Sequence, residues 1–80
     1  MREEILEKII GRAAPIFGMD PADITEATKF EDCNAKSAHI SQITTFLEDE
    51  FDIEIPFMNF RRQKTFGEAA DFVQELIEDN

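Results

Sequence analysis

Ser37, Cys33, His39 and an acidic run from Glu48 to Glu54 are the side chains here whose types could support chemistry. Ser37 opens a stretch of helical apolar spacing, so its hydroxyl falls beside unpaired backbone N–H groups and the positive end of a helix dipole. Such a serine either caps the helix or presents its oxygen where an anionic substituent is tolerated. His39 lies two residues further on and does not share a helical face with Ser37, so the pair implies no catalytic dyad. It reads as an exposed surface histidine and a weak metal candidate. Cys33 is the single cysteine, which excludes an intrachain disulfide and a cysteine metal cluster. Lys36 is its one neighbour able to lower the thiol pKa, and a part-buried loop cysteine is the expected state. Glu48, Asp49, Glu50, Asp52 and Glu54 could hold a divalent cation weakly. They lack the glycine and ligand spacing of an EF-hand, as does Asp20 to Glu31, and otherwise form a solvated face.

The elements that must position these groups follow from apolar spacing. Ile5, Leu6, Ile9, Ile10, Ala13 and Phe17 trace one face of a helix from Glu3 to Phe17, with Glu3, Glu4, Glu7, Lys8 and Arg12 on the other. Gly11 weakens this helix by up to ~1 kcal/mol, and Gly18 is its stop. Residues 19 to 36 form a connection of a length that is uncommon unless it carries function. Ile24 and Phe30 are expected to pin it to the core, and the spacing of Thr28 and Glu31 fits a capping box before a helical turn near residues 29 to 32. Ile40, Ile43, Thr44, Leu47 and Phe51 predict a second helix from Ser37 to Phe51. Asp52 to Ile55 alternates like a strand but is short and unpartnered, hence an extended loop. Pro56 can open a short third helix containing Phe57, Met58 and Phe60. Thr65 and Glu68 form a capping box ahead of Ala69, Ala70, Val73, Leu76 and Ile77, giving a last helix that ends near Glu78. The fold class is all-α: an irregular four-helix bundle of three longer helices and one short one, with a long first loop.

Eighty residues make one domain, 1–80, near the size at which a single core just sustains a fold. An enzyme with a deep, closed cleft needs more walls than this, and no nucleophile–base pair or ligand set is visible. Eighteen acids against eight Lys+Arg give a net charge of −10. Nucleic acid and anionic membrane surfaces are therefore poor partners, basic protein patches are the natural complement, and stability should respond to salt. No apolar run approaches the ~20 residues of a membrane span. The first residues lack a signal peptide's apolar centre, and with one cysteine the expected location is the cytoplasm.

The stretch from Phe30 to Pro56 resembles the acyl carrier proteins, small domains that carry acyl chains as thioesters on a 4'-phosphopantetheine arm. Leu47 to Pro56 is similar to the family's end of helix two. Asp23-Ile24-Thr25 and Phe30-Glu31-Asp32 resemble its first loop, and Thr65 to Ala70 resembles the start of its last helix. The likeness runs without a gap from about Asp20 to Ile77. Counting back from Phe51 puts Ser37 at the serine of the family's Asp-Ser-Leu motif, although Asn34 to Ala38 departs from it: Lys36 replaces an acid and Ala38 a bulky apolar residue.

The resemblance implies carriage rather than catalysis. A phosphopantetheinyl transferase would attach 4'-phosphopantetheine covalently to Ser37, and acyl-processing enzymes with basic docking surfaces would act on the cargo in fatty-acid, lipid or polyketide-type biosynthesis. It also implies a monomer, an acidic docking face and an apolar cleft, around which Phe57, Met58 and Phe60 would be partly exposed. From Lys36 to Leu47 there is no acid, which points to a specialised pathway. The competing reading is a helical interaction module that kept the fold without the arm, with Ser37 only a cap.

Overall fold

The apolar stripes become the inward faces of four α-helices in the computed structural model, which describes residues 1–79. α1 spans Arg2–Phe17, α2 Ser37–Phe51, α3 Phe57–Arg61 and α4 Phe66–Glu78. α1 packs chiefly on α4 and also on α2, while the short α3 sits against α2. Among the described residues there is no strand, only an isolated bridge between Lys29 and Thr65.

α1 buries Ile5, Ile9, Ala13 and Ala14, and Glu3 and Glu4 in its first turn face the favourable end of the dipole. It stops at Gly18, whose φ of 66° is left-handed backbone, and Met19 N–H closes the end by donating to Ala14 O at 2.8 Å. Pro15 lies inside this helix, which the apolar periodicity did not reveal. A proline has no N–H for the carbonyl of Gly11. Gly11 is exposed, so water can serve that carbonyl, and only two helical residues follow Pro15.

The long connection is ordered by two 3-10 turns, Pro21–Asp23 and Phe30–Cys33. Asp20 caps the first by accepting Ala22 N–H at 2.9 Å. Ile24 and Phe30 are buried and pin the loop as expected. The Thr28–Glu31 capping box is not formed. The Thr28 hydroxyl instead accepts Thr25 N–H at 2.9 Å, and the turn begins after Lys29, which supplies no side-chain cap.

Loop and α4 are sewn together by backbone. Phe30 N–H donates to Lys64 O at 3.0 Å, Phe66 N–H to Thr28 O at 3.1 Å, and Gly67 N–H to Glu26 O at 2.9 Å. The α4 box forms with a shifted second arm: Thr65 Oγ1 accepts Glu68 N–H at 3.1 Å, whereas the Glu68 carboxylate reaches Lys64 N–H at 3.1 Å.

α2 buries Ile40, Ile43, Thr44 and Leu47 and ends at Asp52, another left-handed residue with φ of 52°. The Asp52–Ile55 segment is a loop, as expected, held by Glu48, whose carboxylate accepts Ile55 N–H at 2.8 Å. Of the eight phenylalanines, Phe30, Phe60 and Phe66 meet in the core, Phe30 and Phe66 stacked with centroids 4.3 Å apart. Phe60 is only 1 % exposed, so it belongs to the core and not to the rim of a cleft; Met58, at 61 %, is the exposed one of its group. Burying each such Phe or Ile fully contributes about 1.5–3 kcal/mol.

Candidate functional site

Ser37 is the first helical residue of α2, and the cap position belongs to Lys36 in extended backbone (φ −109°, ψ 169°). A lysine side chain has no acceptor and cannot cap. The terminus is closed from the other side: Lys36 N–H donates to His39 Nδ1 at 3.0 Å, and Ile40 N–H makes the first helical bond to Lys36 O at 3.1 Å. The N–H groups of Ser37, Ala38 and His39 lie in the turn that has no preceding helical carbonyl to receive them. No acidic residue occupies that turn. Ser37 and Ala38 are exposed. The arrangement presents a hydroxyl beside free donors at the positive end of a fifteen-residue helix, where an attached phosphodiester is electrostatically tolerated.

His39 is half-buried, not the exposed surface residue expected. Its ring packs edge-on against Phe17 of α1, with centroids 5.2 Å apart and planes at 76°. Accepting through Nδ1 places the ring proton on Nε2. The imidazole is thus occupied in holding the α2 terminus to α1, and it is not aimed at Ser37 as a base. The signal for this role was present in its place three residues after the cap, where a capping box puts its acceptor.

Cys33 is half-buried at the end of the second 3-10 turn. Burial first, and the nearby charge of Asp32 second, push its thiol above the ordinary value, so it is a poor nucleophile. Lys36 does not counteract this.

The acidic run does not converge. Glu48 is taken by Ile55 N–H and Glu50 pairs with Lys8 of α1, whose ammonium that hydrogen bond raises above its usual value. Among the described residues no three His, Cys, Asp or Glu side chains are grouped to hold a metal ion. The weak cation binding that the run could offer has no such grouping behind it.

Beside the approach to Ser37 lies a groove of about 430 Å³ between the second 3-10 turn and the α3–α4 connection. Phe30 and Ala35 form its apolar part, but Lys29, Arg61, Arg62 and Lys64 line the rest. It is cationic, unlike the apolar cleft expected near α3. No helix among the described residues is long and apolar enough to cross a membrane.

The chain matches no protein-family model. It is 37% identical over 75 residues to an acyl carrier protein of Rubrobacter xylanophilus, covering 92% of this chain and 93% of that one. It is 34% identical over 77 residues to an acyl carrier protein of Thermosynechococcus vestitus, covering 95% of each. A third acyl carrier protein, from Lactobacillus acidophilus, is 38% identical over 73 residues, covering 90% of this chain and 91% of its own.

Proposed function

The chain belongs to the acyl carrier protein family, and from that premise we propose that it carries an acyl group as a thioester on 4'-phosphopantetheine joined to Ser37. The observation that carries this reading is the α2 terminus: an exposed serine at the first helical position, closed by His39 rather than by the serine itself. The competing reading, an unmodified interaction module, describes Ser37 as the cap; Lys36 at the cap position with Ser37 exposed one residue on supports the carrier reading.

The residues present suit the group. Ser37 Oγ offers the attachment atom, and the first-turn N–H groups and Lys36 offset the charge of a phosphodiester. When bound, the group supplies a terminal thiol that holds the acyl chain. A separate phosphopantetheinyl transferase would form the Ser37 Oγ–phosphorus bond from coenzyme A, with the adenosine bisphosphate portion leaving and the hydroxyl proton released. The protein's own part is to present the serine on a rigid helix, keep acids away from it, and offer a docking surface to acyl-processing enzymes. Residues 1–80 act as one monomeric domain in this role. The absence of acids from Lys36 to Leu47 favours a dedicated set of enzymes in a specialised branch of acyl biosynthesis.

Intact mass after coexpression with a phosphopantetheinyl transferase tests the assignment. The wild type should gain one phosphopantetheine and Ser37→Ala none. An adduct on the alanine variant, or an unmodified wild type across several transferases, removes Ser37 as the site.

A further inference from the structure

The eight basic side chains divide into two sets. Arg2 binds Asp71 and Glu26, Lys8 binds Glu50, and Arg12 lies 5.8 Å from the Phe46 ring centroid. Lys29, Lys36, Arg61, Arg62 and Lys64 form no ion pair with any described residue, in a chain that offers 18 acids. Four of these five line the groove of about 430 Å³, and Glu31 is its one acidic wall residue. All four are exposed, so solvent screens their mutual repulsion, but together they set a positive potential in the groove that attracts an anion.

The groove is held in shape by backbone, through the Phe30–Lys64 and Phe66–Thr28 hydrogen bonds that join its two walls. Its volume falls within the range of small-molecule sites, about 300–1,000 Å³. Ala35, on its wall, is two residues before Ser37, so their Cα atoms are at most ~7.6 Å apart. A group tethered to Ser37 by a long flexible arm is therefore presented to the groove at high effective concentration. A plain aliphatic acyl chain gains little there, since it would displace water from four charged heads. A short chain ending in a carboxylate fits both parts: methylenes over Phe30 and Ala35, and the carboxylate on the forked guanidinium donors of Arg61 or Arg62.

We propose that this groove binds the free carboxylate of a dicarboxylic acyl group carried on the Ser37 arm. The proposal rests on Ser37 being the attachment site, and the test reads the two separately. The protein is loaded by a transferase with amide-linked, non-hydrolysable pantetheine arms ending in glutaryl or in neutral pentanoyl. Intact mass reports attachment, and backbone and arginine side-chain 15N shifts report groove occupancy. The glutaryl arm should shift Lys29, Arg61, Arg62 and Lys64 beyond the changes caused by the pentanoyl arm. That excess should vanish in the double variant Arg61→Gln, Arg62→Gln and shrink with added salt. Equal shifts from both arms would assign the groove to the phosphodiester or the methylene stem and overturn the proposal. Attachment with no groove shift from either arm would overturn it too, leaving the cations to an acidic surface of a partner. Absence of any adduct by mass would remove Ser37 as the site, and the proposal with it.

Discussion

The Nδ1 of His39 accepts the backbone N–H of Lys36 at 3.0 Å, so the helix that presents Ser37 is closed from its third residue and not from its cap. The same ring rests edge-on against Phe17, tying the serine's terminus to α1. Truncating His39→Ala removes both contacts and should cost about 0.5–1.5 kcal/mol for the aromatic pair, together with part of the capping bond, which water can replace. His39→Gln restores an acceptor at that position but not the ring, so it should fall between alanine and wild type. Thermal melts of the three proteins check the order. An alanine variant as stable as the wild type would remove His39 from the positioning role.

Gly67 marks a close approach between the first loop and α4. A Cβ built there would stand 3.0 Å from the Glu26 backbone oxygen and 3.1 Å from both Glu26 Cβ and Arg2 Nη2. The Gly67 N–H also donates to that Glu26 oxygen at 2.9 Å, so the loop cannot withdraw without losing the bond. Gly67→Ala should therefore destabilise the fold by about 1–3 kcal/mol. For a domain this small that is a fall of roughly 4–8 °C in Tm per kcal/mol. A melting temperature unchanged by the substitution would show that the loop gives way freely.

What could be read in the sequence was local periodicity and caps. Three- and four-residue spacing placed α2 at Ser37–Phe51, Gly18 stopped α1, and Thr65 capped α4. Capping chemistry was less legible where two partners compete for one hydroxyl. Thr28 has box spacing to Glu31, yet its oxygen is taken by the N–H of Thr25, equally three residues away but on the other side. His39 looked like a surface residue because its partner Phe17 lies across the bundle on α1. The cationic groove was illegible for the same reason. Lys29 is more than thirty residues from Arg61, Arg62 and Lys64, and it is the backbone pairing around the Lys29–Thr65 bridge that brings their two walls together. Periodicity carries no information about such nonlocal pairing.

Cys33 should react slowly. Its thiol is raised by burial and by Asp32, so at any pH from 7 to 9 a smaller fraction is thiolate than in an unfolded chain. A raised acid favours the folded state while protonated: its contribution is fully present below the unfolded thiol value and is lost as pH rises through the higher folded one. Iodoacetamide labelling of the native protein at pH 8 should be slower than labelling in denaturant. Equal or faster native labelling would contradict the burial of the thiol.

The acid excess should make stability depend on ionic strength and not on the identity of the cation. With Glu48 and Glu50 already bonded and no metal-binding group among the described residues, magnesium or calcium has only screening to offer. Melting temperature should rise with salt, and sodium chloride at matched ionic strength should reproduce the whole effect of either divalent ion. A clear excess for calcium or magnesium would require a site that the acidic run does not form.

The last prediction concerns which enzymes this carrier serves. Lys36 sets a positive charge next to Ser37, and neither His39 nor Gln42 brings an acid to the next turns of α2. Toward a partner with a basic docking surface this removes attraction and adds local repulsion, slowing encounter more than it alters the docked contact. Lys36→Asp, His39→Asp, Gln42→Glu should reverse the effect. The structure makes the first two changes tolerable. Aspartate at 36 brings the acceptor that lysine lacks at a cap, worth about 0.5–2 kcal/mol, and aspartate at 39 keeps an acceptor for the residue-36 N–H. The variant should fold at least as well as wild type despite losing the Phe17 contact. Loaded with the same acyl group, it should be turned over faster by a generic ketosynthase or acyltransferase, mainly through a lower KM. The advantage should shrink as salt is added, because it is electrostatic. Equal turnover of the two proteins at low salt, with both shown to be folded and fully loaded, would reject surface charge beside Ser37 as the basis of a dedicated partner set.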